Sequence, residues 1–368
     1  MKKTIVLLLI FSMIGLVSLT YFNNLSTPEE VVQPQNTTQT DLPTIEESET
    51  PVITKDYSSL KEHIMSGGPP KDGIPPIDIP KYLKVSEVDY LSDLDPVFVL
   101  ETKEQVYVYP QKILVWHEIV NETIDGQNMS ITYCPLTGST ICYLADEDHL
   151  DNTYGTSGSL LNSNLVMYDR KTDSLIPQIL GVSIDGSLSR EPLPTRPVLW
   201  STWERVNVLY PNALVLSTDT GYFRDYNNDP YGSYMPDDEK SYYYFGGPLF
   251  PVLHEDDTFS AKKNVIGVKH NHDIIAIDPE LIKANNFIEF EIGQVPSIAI
   301  YDRNLNTIRV FSRIIDQEVK TLRPSEGGLL DENDTFYPYL SKKLRPMNHF
   351  DVMWFAWYAY YPETEVIK

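Results

Sequence analysis

Basic side chains are scarce in this sequence: 29 Lys and Arg stand against 52 Asp and Glu, a net charge of −23. No basic stripe exists, and a nucleic-acid binder needs clustered Lys and Arg to neutralise phosphates, so nucleic acid is excluded as a partner. Residues 24–57 hold seven of the acids and one Lys, so the rest of the chain is acidic too, as suits the solvation of an exported protein. Cysteine is equally scarce, with only Cys134 and Cys142. They flank a Pro135-Leu136-Thr137-Gly138 turn, and a hairpin across it would place them on one face but diagonally, roughly 7 Å or more apart. A bridge would need a shifted register, so two free thiols are expected, which is unusual in an oxidising compartment.

Long apolar runs are also rare. Lys2 and Lys3 precede Thr4 to Phe22, a stretch interrupted only by Thr, Ser and Gly and just long enough to span a bilayer. It has no small-x-small cleavage pattern and no Cys for lipid attachment, so residues 1–23 read as an uncleaved anchor in preference to a cleaved signal peptide, with the rest of the chain outside the cytoplasm. Residues 24–57 then run through Thr, Pro, Gln, Asn and Glu with few large apolar side chains, too few to offset the ordering entropy by burial. They read as a disordered tether to a domain over residues 58–368, long enough to bury a substantial core. The apolar Met353 to Tyr358 run is too short to span a membrane and reads as a buried closing helix.

Residues 97–143 are written a second time, at 266–311. Val106-Val108 match Ile275-Ile277, Pro110 matches Pro279, and Ile131-Thr132-Tyr133 match Ala299-Ile300-Tyr301. At the reactive positions the second copy offers Asn286 for His117 and Asp302 for Cys134. One copy with soft, titratable side chains suggests a scaffold with one working site. β-Branched and aromatic residues at strand spacing predict a hairpin of 97–100 with 106–109, across a turn at Thr102 to Gln105. Pro110 opens a helix whose stripe runs through Ile113, Leu114, Trp116, Ile119 and Val120. Asp125-Gly126 turns the chain into strands 129–134 and 139–144. Ser201 caps a helix over Thr202 to Tyr210, followed by a strand at Ala213 to Ser217. The expected fold is α+β and predominantly β, two related ββαββ-like halves in one compact unit.

Several segments, in order along the chain, carry a resemblance. They are Gly67-Gly68-Pro69-Pro70-Lys71-Asp72-Gly73-Ile74-Pro75, Trp116-His117-Glu118-Ile119-Val120-Asn121, Tyr133-Cys134-Pro135-Leu136-Thr137-Gly138-Ser139 and Asn162-Ser163-Asn164 through Tyr168-Asp169-Arg170. Asp229-Pro230-Tyr231-Gly232, Leu249-Phe250-Pro251-Val252, Trp354-Phe355-Ala356-Trp357 and Tyr361-Pro362-Glu363-Thr364 continue the series. From about residue 66 onward the chain resembles the prokaryotic family DUF3179. The resemblance implies an exported, often anchored protein with no assigned activity. Thr137 stands where some members carry a second Cys, so a vicinal Cys pair is not essential, and Ile176 stands where a Trp is common.

Three chemistries compete for the site. A soft-metal centre would use His117, Cys134 and a thioether, Met167 or Met129, with copper or zinc as the ion; a second imidazole would have to come from His149, His270 or His272. Thiol or acyl-transfer catalysis would use Cys134 as nucleophile, His117 as base, Glu118 or Asn121 to orient the imidazole, and amides of Thr137-Gly138-Ser139 as oxyanion donors. Such a thiol needs a low pKa, which acidic surroundings oppose. Ser157 and Ser163 stand in no nucleophile-elbow pattern. The third reading is a glycan- or peptide-binding surface built on the tyrosines from Tyr222 to Tyr244 with Asp225, Asn227, Asn228 and Asp229. Oxygen ligands at Asp225 to Asp229 and Asp256-Asp257 lack the EF-hand spacing of a calcium loop. Asn36, Asn121, Asn128 and Asn333 lie in Asn-x-Ser/Thr acceptors. The expected site gathers His117, Glu118, Asn121, Cys134, Thr137, Ser139, Asn162, Asn164 and Asp169, covered by the Gly67 to Pro76 loop. Tyr-Asp-Arg recurs at Tyr301-Asp302-Arg303, which gives that motif a hairpin-pinning role.

Overall fold

Alternating apolar strands closed by tight turns account for most of the architecture. Asp125 (φ 50°) and Gly126 (φ 79°) are both left-handed, which joins Ile119–Ile124 to Gln127–Cys134 by the two-residue turn that matches strand twist. Asn162 (φ 53°) and Ser163 (φ 61°) do the same between Tyr154–Leu161 and Asn164–Asp169. The computed structural model describes residues 56–145, 153–188, 190–234, 241–244 and 246–368. The expected anchor, nearly all of the tether, and His149 lie outside them. Among the described residues no helix is long and apolar enough to cross a membrane.

The fold is α+β with strands predominating. A five-stranded sheet runs in the order Leu199–Thr202, Pro96–Glu101, Val106–Pro110, Leu214–Leu216, Tyr82–Lys84, with the third and fourth strands parallel. A four-stranded sheet follows the same plan: Asn348–Met353, Asn264–His270, Asp273–Ile277, Glu365–Ile367, its last pair parallel. In each case a short helix, Trp203–Leu209 or Trp354–Tyr360, joins the added antiparallel strand to the added parallel one. Each central hairpin leads into a helix, Gln111–His117 or Pro279–Asn285, and then into three antiparallel strands.

That third strand corrects the expected two. The first helix stops at His117 because Glu118 takes a left-handed backbone (φ 59°), and Ile119 and Val120 leave the helical stripe to pair with Thr132 and Ile131. Asn286 (φ 68°) ends the second helix in the same way. Asn286 therefore corresponds to Glu118, and Asn285 to His117, one residue from the match read in the sequence. Ser201 likewise belongs to a strand and not to a helix cap. Thr202 precedes the helix, and the Ser201 hydroxyl donates to the Leu305 carbonyl at 2.7 Å. The closing helix forms at Trp354–Tyr360 with Trp354 and Trp357 fully buried.

Candidate functional site

Cys134 ends its strand opposite Ser139, while Cys142 pairs with Ile131. Cross-strand partners share a face and successive residues alternate, so the two thiols point to opposite sides of one sheet. This corrects the expectation that they share a face. Cys134 packs in the core with Leu165, Met167 and Trp354, and Cys142 in another with Phe98 and Tyr133. Both are free and buried. Burial pushes the Cys134 thiol up to about 11, with the neighbouring Glu118 adding to the effect, and pushes Cys142 up to about 12.

The turn after Cys134 sits on a buried polar network whose hub is Gln178. Thr137 and Ser139 hydroxyls lie 2.8 Å apart, and Ser139 donates to Gln178 Oε1 at 2.7 Å. Asn164 Nδ2 donates to that same oxygen at 2.9 Å and to Thr137 Oγ1 at 3.1 Å. Gln178 Nε2 reaches Thr132 Oγ1 and the Ser139 carbonyl, each at 3.1 Å. The Leu165 amide donates to Cys134 Sγ at 3.3 Å. Thr137, Ser139 and Asn164 are thus committed to one another, the pattern of a network that specifies a core. Gln178 was missed in the sequence, although a lone amide within Leu175-Ile176-Pro177-Gln178-Ile179-Leu180 is a signal for a buried hub.

His117 stands apart from this network. Its Nδ1 is 2.8 Å from the Pro75 carbonyl, which can only accept, so Nδ1 carries the proton. Nε2, 2.7 Å from Tyr226 Oη, then accepts from the phenol, which in turn lies 2.6 Å from Thr220 Oγ1. Burial lowers the imidazole to about 4, so it is neutral at neutral pH. Both ring nitrogens are occupied and neither meets Cys134. The Gly67 to Pro76 loop covers His117 through Pro75 and lies along the Tyr154–Leu161 strand through Asp72 and Ile74.

Glu118 is 7 % exposed, and among the described residues its carboxyl group has no hydrogen-bond or ion-pair partner; burial alone raises it to about 8. It neighbours Cys134 and Tyr231, whose titrations it influences. The other expected site residues hold the fold together. Asn121 Nδ2 donates to Asp78 Oδ1 and the Tyr154 carbonyl, and its Oδ1 accepts from Ser130 and the Tyr154 amide, so this buried amide is closed to glycosylation in the folded state. Asn162 ties its hairpin to the Ala359 carbonyl and the Leu253 amide. Asp169 accepts from the Thr172 amide and hydroxyl, while Arg170 reaches Asp78. Met167 is buried in the apolar core with Cys134, and Met129 in the cluster on the other side of the sheet. His270 ends a strand, and His272 lies in the two-residue hairpin turn that follows it. Among the described residues no three His, Cys, Asp or Glu side chains converge as metal ligands would.

The tyrosine-rich segment divides in two. Tyr226, Tyr234 and Tyr242 turn inward, and the last two donate to the Pro135 and Leu136 carbonyls. Tyr222 and Phe223 turn outward, 43 % and 89 % exposed. They line a cleft of about 350 Å³ with Tyr90, Lys112, Arg224 and Asn227, and Tyr226 links its wall to His117. Asp225 and Asp229 are used in local turns, accepting from the Asn227 and Tyr231 amides at 3.2 and 2.8 Å.

A family model described as a protein of unknown function (DUF3179) matches residues 71–364, and the chain belongs to that family. No curated protein and no solved structure matches it.

Proposed function

We propose that this member of the DUF3179 family is an extracytoplasmic glycan-binding domain, tethered to a membrane by its N-terminal segment, with the glycan held in the Tyr222–Asn227 cleft. The observation that carries the reading is the outward pair Tyr222 and Phe223 beside Arg224 and Asn227, in a cleft open to solvent. Sugar rings present C–H faces that stack on aromatic rings, while their hydroxyls need guanidinium and carboxamide partners. The His117–Tyr226–Thr220 chain fits a positioning role, holding one aromatic wall in place.

Physical chemistry weighs against the other two readings. A thiol raised to about 11 beside an unpaired carboxyl group is not a nucleophile near neutral pH, and an imidazole whose two nitrogens are spoken for is neither its base nor a ligand for copper or zinc. The test is binding of a glycan panel to full-length protein in detergent, beside Phe223→Ala and Tyr222→Ala. A ligand whose affinity falls about tenfold in either variant, or roughly 1.4 kcal/mol, supports the reading. Absence of any glycan ligand, together with near-stoichiometric copper or zinc that disappears in Cys134→Ser, would replace it with the metal-site reading.

A further inference from the structure

We infer a second ligand site in the C-terminal part of the chain, for a carboxylate carried on a ring, with the Arg303 guanidinium as its anchor. The site is a cleft of about 600 Å³, and its lining includes Asn286, Phe287, Tyr301, Arg303, Arg323 and Tyr339. One wall is the end of the Val295–Asp302 strand; another is the Arg323–Ser325 and Gly328–Leu330 hairpin, to which Tyr339 is fixed by its amide on the Gly327 carbonyl at 3.1 Å.

Charge points to the ligand class. Arg303 is exposed, and among the described residues it pairs with no carboxylate; its guanidinium meets the Asn286 side-chain oxygen and lies 5.6 Å from the Tyr301 ring centroid. Unpaired guanidinium in a cleft is notable in a chain where acids outnumber bases 52 to 29. Asp302 also lines the cleft, but its carboxylate is buried and committed to Arg309 Nε at 2.8 Å. Arg323 adds a second guanidinium, in an exposed pair with Asp334 that contributes little and is readily exchanged. Among the described lining residues, Glu326 is the carboxylate not so neutralised. A planar guanidinium favours the two-pronged grip on a carboxylate, and the rings of Phe287 and Tyr301 beside it favour a ring as its carrier.

Comparison with the corresponding turn near the N-terminal site supports this. There Pro135 takes the place of Arg303, and the protein's own Tyr234 and Tyr242 cover the turn through the Pro135 and Leu136 carbonyls. In the second turn Arg205 takes the Arg303 and Asn304 carbonyls, at 3.0 and 3.3 Å, and fixes the backbone that presents the Arg303 side chain to an open cleft.

The experiment is calorimetric and ligand-observed NMR titration of the full-length protein with D-galacturonate, D-galactose and sulfate. Galacturonate binding, at least about tenfold weaker for galactose and in Arg303→Gln, partly restored in Arg303→Lys and retained in Phe223→Ala, supports the site. Unchanged thermal midpoints in the Arg303 variants, whose side chain is exposed, exclude misfolding as the cause of a loss. Equal binding of galactose, full displacement by equimolar sulfate, no binding of galacturonate, or an Arg303→Gln variant that binds as well as the parent would each overturn it. Retention in Phe223→Ala separates this site from the Tyr222–Asn227 cleft, so either can fail alone.

Discussion

Glu118 occupies a position that costs free energy twice. A left-handed backbone at a residue other than Gly or Asn costs about 1 kcal/mol, and a buried carboxyl group without a partner must stay protonated to remain inside. Its folded pKa of about 8 lies far above the roughly 4.3 of an unfolded Glu, so its contribution to stability is fully present below pH 4.3 and is lost as the pH rises through 8. Glu118→Gln keeps the shape and removes the titration. It should raise the thermal midpoint at pH 8 by the equivalent of about 4–5 kcal/mol while leaving the value near pH 4 almost unchanged. A variant with the parent's pH profile would mean that Glu118 is charged and solvated in the native state. His117 works in the opposite sense. Burial holds it at about 4 against an ordinary 6.5, so the unfolded chain binds more protons between those values and stability falls as the pH drops from 6.5 to 4. His349, also lowered to about 4 by burial, adds to that fall, and Asp351, raised to about 6, opposes it. The informative quantity is therefore the difference: His117→Gln should take up close to one proton fewer than the parent on urea unfolding near pH 5, measured by the slope of stability with pH.

At the scale of elements, the register of the Gln127–Cys134 and Ser139–Leu144 strands decides what the cysteines can do. Opposite-facing buried thiols cannot bridge, and thiols raised to about 11 and 12 do not attack. Ellman's reagent should find no reactive thiol in native protein at pH 8 and two in guanidinium chloride; a fast-reacting native thiol removed by Cys134→Ser would reopen the catalytic reading. The strands were legible because their signals are local: β-branched alternation over Val97–Leu100 and Val106–Tyr109, and the Asp125-Gly126 turn. The closing helix was legible from its density of aromatic residues. The end of the first helix was not, because Glu118 gives no sign of a left-handed cap where the second segment has the usual Asn286. Extending the helix through Val120 hid a strand. The face of Cys134 was missed for a related reason, since one residue of register moves every side chain to the other side of a sheet. The groups that hold this region, Pro75, Tyr226 and Thr220 around His117 and Gln178 around Ser139 and Asn164, come from loops that spacing along the chain cannot bring together.

At the scale of the molecule, the described residues belong to one compact unit, Pro51–Lys368, and one buried charge cluster ties its two strand systems together. Arg309, on Thr307–Ser312, grips both oxygens of Glu101, on Pro96–Glu101, at 2.6 and 2.8 Å and also bonds Asp302 at 2.8 Å. Tyr210 donates to Glu101, and the Arg309 guanidinium lies 4.4 Å from the Tyr339 ring centroid. Burial by itself would raise the Glu101 carboxyl, but the Arg309 guanidinium more than offsets this and holds it below its ordinary range. The sign follows: the cluster's contribution through Glu101 is present above the unfolded carboxylate value of roughly 4.3 and is lost as the pH falls through the lower folded value. Replacing a buried pair with apolar groups can be neutral, whereas removing one partner strands a charge at a cost of about 3–5 kcal/mol. Arg309→Met strands two carboxylates, Glu101 and Asp302, and should reach the upper end of that range in urea denaturation at pH 7. Glu101→Gln leaves Arg309 its bond to Asp302 and should cost about half as much. The order is the test. Equal losses below about 1 kcal/mol would mean that water, and not the partner strands, satisfies the cluster, and that apolar packing alone joins the strand systems.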